Sequence, residues 1–276
     1  MRESTIRKYL EVFRVAKYLT RDNLSIITDR GATDSRNLRK EPVRVLHELK
    51  KLGYVSIIPK RYFIEPKQGK RPRLPDLYEV FWQLTEAGCQ RLGIDHKYIQ
   101  HKYPKDLEHE IMKIDVIMSF IKNYSQDFDI QVDYEKNLNG YKPDAWIRMI
   151  NYDTGARYDF LLEIETGTRH VGEQVDHKFK PLNNFDPKKN KLNNETKVLV
   201  VQSHGSFIPS IRPVDYKNFK DRILMIERRT TGLMDAVRKS GKVKQPFRFL
   251  FLPYNQFPRL NESVWTDLRG ERRKLV

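Results

Sequence analysis

The sequence predicts a chain of α+β / α/β class in two domains: an N-terminal helical module with a two-stranded hairpin, then an αβββαβ core. Three observations carry this. At 276 residues the chain has room for two domains that each bury a core. Residues 1–95 read as helix, helix, helix, strand, basic loop, strand, helix. From residue 107 the hydrophobic period runs helix, three strands, helix, strand, with a further helix and strand behind them.

In the first domain, Ile6, Leu10, Phe13, Val15, Ala16 and Leu19 recur at helical spacing and predict a helix over Thr5–Thr20, capped by Ser4 or Thr5. A short helix is expected within Asp22–Asp29. A third starts at Glu41-Pro42, since proline is tolerated in a first turn. Val45, Leu46, Leu49 and Leu52 form its apolar stripe, with Arg44, Lys50 and Lys51 facing elsewhere, and Gly53 closes it. Strand-like runs follow at Tyr54–Ile58 and Leu77–Leu84. Between them, Pro59–Pro75 carries Lys60, Arg61, Lys67, Lys70, Arg71 and Arg73 against Glu65. A last helix opens at Thr85.

Residues 96–106 are polar and turn-forming, which predicts a linker. Beyond it, Leu107–Tyr124 is apolar on a wide face, as in a helix packed on two sides. Strands are expected at Ile130–Glu135, Pro143–Ile150 and Tyr158–Glu165, then a helix at Val171–Lys180. The continuous apolar run Lys197–Gln202 reads as a buried strand. A long helix at Asn218–Lys239 and a strand at Phe247–Leu252 complete the domain, expected to span 107–255. Residues 256–276 read as a basic C-terminal tail, frayed near Arg269–Lys274.

The composition bounds the chemistry. The formal charge is +16 and the pI about 9.7, a balance suited to a polyanionic partner. No apolar run reaches membrane-spanning length, and Met1–Lys8 lacks the apolar core of a signal peptide. The single cysteine, Cys89, excludes an intramolecular disulfide framework and a cysteine-rich zinc site. A cytoplasmic location is expected. The histidines form no metal-ligand spacing, and Gly167–Gly172 lacks the Gly-Lys-Ser/Thr end of a phosphate-binding loop.

The densest chemical signal lies in Tyr141-Lys142-Pro143-Asp144-Ala145-Trp146 and Phe160-Leu161-Leu162-Glu163-Ile164-Glu165. Strand alternation places Phe160, Leu162 and Ile164 on one face and Leu161, Glu163 and Glu165 on the other. The turn Tyr152-Asp153-Thr154-Gly155 folds the two segments back and brings Asp144 beside Glu163. Converging carboxylates repel unless a cation or a proton compensates. A divalent metal meets that need, and the structural alternative is an ion pair of Glu165 with Arg148 or Arg169.

Two resemblances follow from these residues. Val45–Val55 and Trp82–Gly88 resemble the end of the recognition helix and the entry to the last helix of bacterial winged helix-turn-helix domains. That resemblance implies that the helix at 41–52 enters the major groove of DNA and that the basic loop touches phosphates. The implied contacts are Arg39, Lys40, Arg44, Lys50, Lys51, Lys60, Arg61, Lys67, Lys70, Arg71 and Arg73. The second domain resembles the restriction-endonuclease-like PD-(D/E)xK superfamily, on Pro143-Asp144 and Glu163-Ile164-Glu165.

Leu107-Glu108-His109-Glu110, Glu135, Lys142–Ala145 and Phe160–Thr168 together are similar to the replication-relaxation family of plasmid and mobile-element proteins. The likeness spans residues 5–180. It implies DNA binding and a role in plasmid replication control or transfer, with Mg²⁺- or Mn²⁺-dependent phosphodiester hydrolysis if the site is active. Asp144, Glu163 and Glu165 are the implied metal ligands. The superfamily's lysine falls where this chain has Glu165, so the implied replacement comes from the next helix, as Lys178 or Lys180. The alternative is a non-catalytic DNA-binding regulator or relaxosome accessory protein that keeps the nuclease fold. The implied partners are double-stranded DNA, with RNA left open, and a second copy of the chain or other DNA-processing proteins.

Overall fold

In a computed structural model the chain is a mixed α+β protein that divides into two compact units. The structure describes residues 3–16, 19, 40–58, 81–95, 107–134, 137–166, 171–184, 186–193, 195–203, 216–242 and 248–276. The helix expected within Asp22–Asp29, Arg39, the linker and the basic loop with Lys60, Arg61, Lys67, Lys70, Arg71 and Arg73 lie outside them.

The first unit holds α1 (Glu3–Val15), α2 (Lys40–Lys51), β1 (Val55–Ile58), β2 (Phe81–Leu84) and α3 (Glu86–Leu92). Ile6, Leu10, Phe13, Leu46 and Leu49 are buried, as the helical periods require. Helix α1 ends at Val15 rather than running to Thr20. Leu19 instead pairs with β2, exchanging both backbone hydrogen bonds with Trp82 at 3.0 and 2.9 Å. The strand pairing satisfies backbone groups that another helical turn would have used otherwise.

Helix α2 closes with the bonds Tyr54 N–H to Leu49 C=O (3.0 Å) and Gly53 N–H to Lys50 C=O (2.9 Å), with Gly53 at φ 77°. This turn swings Leu52 out, so it is 48% exposed and does not belong to the buried stripe. Thr85 ties the end of β2 to this turn: its hydroxyl donates to the Gly53 carbonyl (2.5 Å) and accepts from the Gly88 N–H (3.2 Å) to cap α3. Gly88 has no room for a side chain, because a Cβ there would lie 2.1 Å from the Tyr54 carbonyl oxygen.

Helix α4 (Leu107–Tyr124) buries Met112, Ile114, Val116, Ile117, Met118 and Phe120. Residues 112–120 are all buried, the polar Lys113, Asp115 and Ser119 included. The division between the units cuts it between Met118 and Ser119, not in the stretch 96–106.

The second unit is built on one mixed sheet of seven strands in sequence order: β3 (Phe128–Tyr134), β4 (Ala145–Asn151), β5 (Arg157–Glu165), β6 (Lys197–Gln202), β7 (Arg248–Pro253), β8 (Trp265–Asp267) and β9 (Arg272–Arg273). Strands β3, β4 and β5 are antiparallel, β5, β6 and β7 parallel, and β7, β8 and β9 antiparallel again. Parallel neighbours require crossovers. Helix α5 (Val171–Gln174) opens the first, and α6 (Tyr216–Ser240) provides the second.

One sheet face buries Trp146, Leu161, Val198, Val200, Phe249 and Phe251 under Val175, Phe179, Leu182, Leu233 and Val237. The other presents Phe160, whose ring lies 5.9 Å from that of Phe120. The final residues are not a free tail. Trp265 is fully buried, Leu260 and Leu275 are buried too, and β8 pairs with β7. Leu268 packs against the core cluster, and the Phe257 and Leu260 carbonyls accept from Ser119 and Tyr124 of α4.

Candidate active site

The site forms where β4 begins and β5 ends. The register pairs Ala145 with Leu162, and the Asp144 N–H donates to the Leu162 carbonyl at 3.0 Å, so the ladder carries Asp144 in beside Glu163. The Gly155 turn that makes this hairpin has φ 67°, and Asn151 Oδ1 accepts the Asp153 and Thr154 N–H groups. Glu163 and Glu165 alternate onto the face shared with Leu161, and both are buried.

Past β5 the chain turns through α5 into a π-helical turn, Val175–Phe179, and then a 3₁₀ turn, Lys180–Asn184. The expected helix to Lys180 therefore changes hydrogen-bond spacing twice, and π turns of this kind are enriched at functional sites. Val175 and Phe179 anchor the segment in the core. One residue before Phe179, Lys178 reaches into the acids. Its Nζ lies 3.0 Å from Glu163 Oε2, 3.0 Å from Glu165 Oε1, 3.5 Å from Asp144 Oδ2 and 3.4 Å from the Ile164 carbonyl. Four oxygens thus converge on one point. Lys180 is exposed and makes no part of this cluster.

Neutral donors hold the acids from behind. The Tyr141 hydroxyl donates to Glu163 Oε1. Gln174 Nε2 donates to Glu165 Oε2 at 2.9 Å, and Gln202 Nε2 to the Glu165 carbonyl at 3.1 Å. The Ile164 N–H donates to Asp144 Oδ2 at 2.7 Å. Tyr141 and Gln174 are not singled out by the sequence. Gln174 precedes Lys178 by one helical repeat, and that spacing is the signal that could have found it.

The electrostatics follow from burial. Glu163 is pushed up to about 7, first by desolvation and then by Asp144, against the pull of Lys178 and the Tyr141 hydrogen bond. Tyr141 is raised well above its ordinary value by burial and by Glu163. Burial draws Lys178 down, but Glu163, Asp144 and Glu165 outweigh it and hold the ammonium charged. Three carboxylates face one ammonium, so the cluster keeps an excess of negative charge.

Among the described residues, no group of three His, Cys, Asp or Glu side chains stands ready-made to hold a metal. The donor set nevertheless suits a hard divalent cation: it is all oxygen, and buried Glu165 Oε1 is met by a cation already, the Lys178 ammonium at 3.0 Å, with no aligned hydrogen bond to hold it. Glu165 does not pair with Arg148. Arg148 instead joins Arg157 on the buried Asp159, at 2.9 and 2.8 Å, where the Trp146 indole N–H (3.2 Å) and the Asn193 N–H (2.7 Å) also donate. Arg169 lies outside the described residues.

On α2, Arg44, Lys50 and Lys51 are exposed, with Lys51 paired to Glu48 at 2.9 Å. Lys40 begins that helix. No described helix is long and apolar enough to cross a membrane.

A scan against protein-family models found no match, and a search of curated proteins found none. A comparison with solved structures matched restriction endonuclease FokI at 13% identity and a TM-score of 0.29, over 92% of this chain and 43% of that one. The chain thus spans under half the length of that structure, and at this TM-score the fold and the site stand on their own geometry.

Proposed function

We propose that the chain is a nucleic-acid-binding protein whose second unit is a restriction-endonuclease-like domain that hydrolyses phosphodiesters with Mg²⁺ or Mn²⁺. The observation that carries this reading is the convergence of Asp144 Oδ2, Glu163 Oε2, Glu165 Oε1 and the Ile164 carbonyl on one cation, the Lys178 ammonium, each within 3.5 Å of Nζ. A bound divalent ion supplies Lewis acidity toward the phosphate and lowers the pKa of a water. Asp144 and Glu163 would hold that ion, Glu165 would shape the site or take a second ion, and Lys178 keeps a proton on Nζ and would orient the attacking water. The order helix, three strands, helix, strand supports the same fold.

In this reading the first unit is a winged helix that docks duplex DNA through α2. The exposed Arg44, Lys50 and Lys51 support it, as does the antiparallel bridge of Leu19 to Trp82 beside the β1–β2 pair. The net charge of +16 suits a polyanion. A place in plasmid replication or transfer rests on the motif resemblance alone.

One observation favours a second reading, a non-catalytic DNA-binding regulator: Lys178 already neutralises part of the acid cluster. Incubation with plasmid DNA, and separately with RNA, in Mg²⁺ or Mn²⁺ separates the two. Cleavage by the parent and none by Asp144→Ala supports the nuclease. DNA retardation without nicking by either protein sinks it and leaves the regulator.

A further inference from the structure

The two β5 glutamates share one arrangement. Each has one carboxylate oxygen held by a buried neutral donor and its other oxygen 3.0 Å from Lys178 Nζ. For Glu163 the donor is the Tyr141 hydroxyl, and for Glu165 it is the Gln174 amide. We infer that Tyr141 and Gln174 are positioning residues: they fix the rotation of Glu163 and Glu165 so that Oε2 and Oε1 converge on a single cation position. This rests on the metal-dependent reading above and deepens it.

A glutamate carboxylate turns about a broad terminal torsion. Two glutamates two residues apart on a strand therefore point both carboxylates at one place only when something outside the strand selects that torsion. Asp144 has a shorter chain and is fixed by the Ile164 backbone N–H, an element of the sheet itself. Among the described residues the glutamate carboxylates take side-chain donors instead: Lys178 on the converging oxygens, and Tyr141 and Gln174 on the outer ones.

Both helpers are rigidly mounted. Tyr141 is buried in the core cluster with Trp146 and Leu161, and its backbone pairs with Leu138. Gln174 is 2% exposed and immediately precedes Val175, which is anchored in the same core. Both donors are neutral, so they orient the carboxylates without cancelling the charge that a cation needs. Outer hydrogen-bond partners of metal ligands act in this way and tune the affinity of the inner set.

The test is Mn²⁺ affinity of the full chain by electron paramagnetic resonance at fixed pH, with plasmid cleavage measured in parallel. Tyr141→Phe keeps the ring and removes only the hydroxyl, and Gln174→Met keeps the length and removes the amide. Tyr124→Phe is the control. It deletes a buried hydroxyl bonded to the Leu260 carbonyl at 3.0 Å, on a helix outside the acid cluster. Each site variant is expected to weaken Mn²⁺ binding about tenfold or more and to lower kcat with KM for DNA unchanged. The control is expected to keep the parental affinity. Parental Mn²⁺ affinity in both site variants overturns the positioning role and leaves the nuclease reading intact. Equal weakening by Tyr124→Phe also overturns it, because general loosening then explains the effect. Absence of Mn²⁺ binding by the parent overturns both this inference and the reading it rests on.

Discussion

Lys178 sets one ammonium among three acids, and replacing it by methionine measures how much the cluster depends on it. Its Nζ lies 3.0 Å from Glu163 and Glu165 and 3.5 Å from Asp144, and the side chains of those glutamates are only 2% and 6% exposed. Removing one partner of a buried ion pair leaves uncompensated charge and costs about 3–5 kcal/mol. The loss has a defined pH dependence. Glu163 titrates near 7 in the folded protein against 4.5 ordinarily, so the folded state holds its proton more tightly. Stability from this group is present below about 4.5 and is lost as pH rises through 7, a swing on the order of 3 kcal/mol.

Without Lys178 the Glu163 carboxyl is deprived of a group that lowers its pKa, and its titration moves further up. The variant therefore keeps losing stability above pH 7, where the parent has levelled off. The deficit of Lys178→Met is expected to be larger at pH 9 than at pH 6. Urea unfolding in a chelating buffer reads this, followed by the fluorescence of Trp146 and Trp265, which both lie in the second unit. Domain-resolved signals are needed because a chain of two units does not unfold in two states. Equal stability of variant and parent at pH 9, or an identical deficit at both pH values, refutes the electrostatic reasoning.

Gly88→Ala places a Cβ 2.1 Å from the Tyr54 carbonyl and is expected to destabilise the first unit by about 1–3 kcal/mol, read from Trp82 fluorescence in urea. An unchanged midpoint counts against the close approach. Trp265→Ala empties a fully buried site under the terminal strands and is expected to cost about 3–5 kcal/mol in the second unit, whereas a free tail predicts no change. Replacing Arg44, Lys50 and Lys51 by glutamine is expected to weaken duplex binding and to lower the salt slope of log K by about 1 for each phosphate that these side chains neutralise. An unaltered slope removes α2 from the DNA interface.

Much of the architecture was legible because hydrophobic period and turn chemistry are local. The two-residue alternation of Leu161, Glu163 and Glu165 and the Gly155 turn suffice to bring Asp144 beside Glu163. The choice between Lys178 and Lys180 was not local. Two residues along a helix point to opposite sides, and only the burial of Val175 and Phe179 decides which side meets the sheet. Tyr141 is ordinary in sequence until the acid it touches is placed, and Gln174 is marked only by standing one helical repeat before Lys178. The extension of α1 to Thr20 failed because the pairing of Leu19 with Trp82 is a contact across 63 positions, counted from 19 to 82, that no window of sequence contains. The terminal strands escape the sequence for a related reason: Val264 and Trp265 are flanked by polar residues on both sides, and the pairing of β8 with β7 is a contact no local window contains.

Asp144, Glu163, Glu165 and the Ile164 carbonyl are proposed to form a divalent-metal position in a nuclease site. A Mn²⁺-soaked crystal studied by anomalous scattering tests it directly. An anomalous peak bound by Asp144 and Glu163 is expected, with Lys178 Nζ moved away from the four oxygens it now bridges. Lys178 still bridging the acids at 3.0 Å, with no peak at a saturating Mn²⁺ concentration, contradicts it.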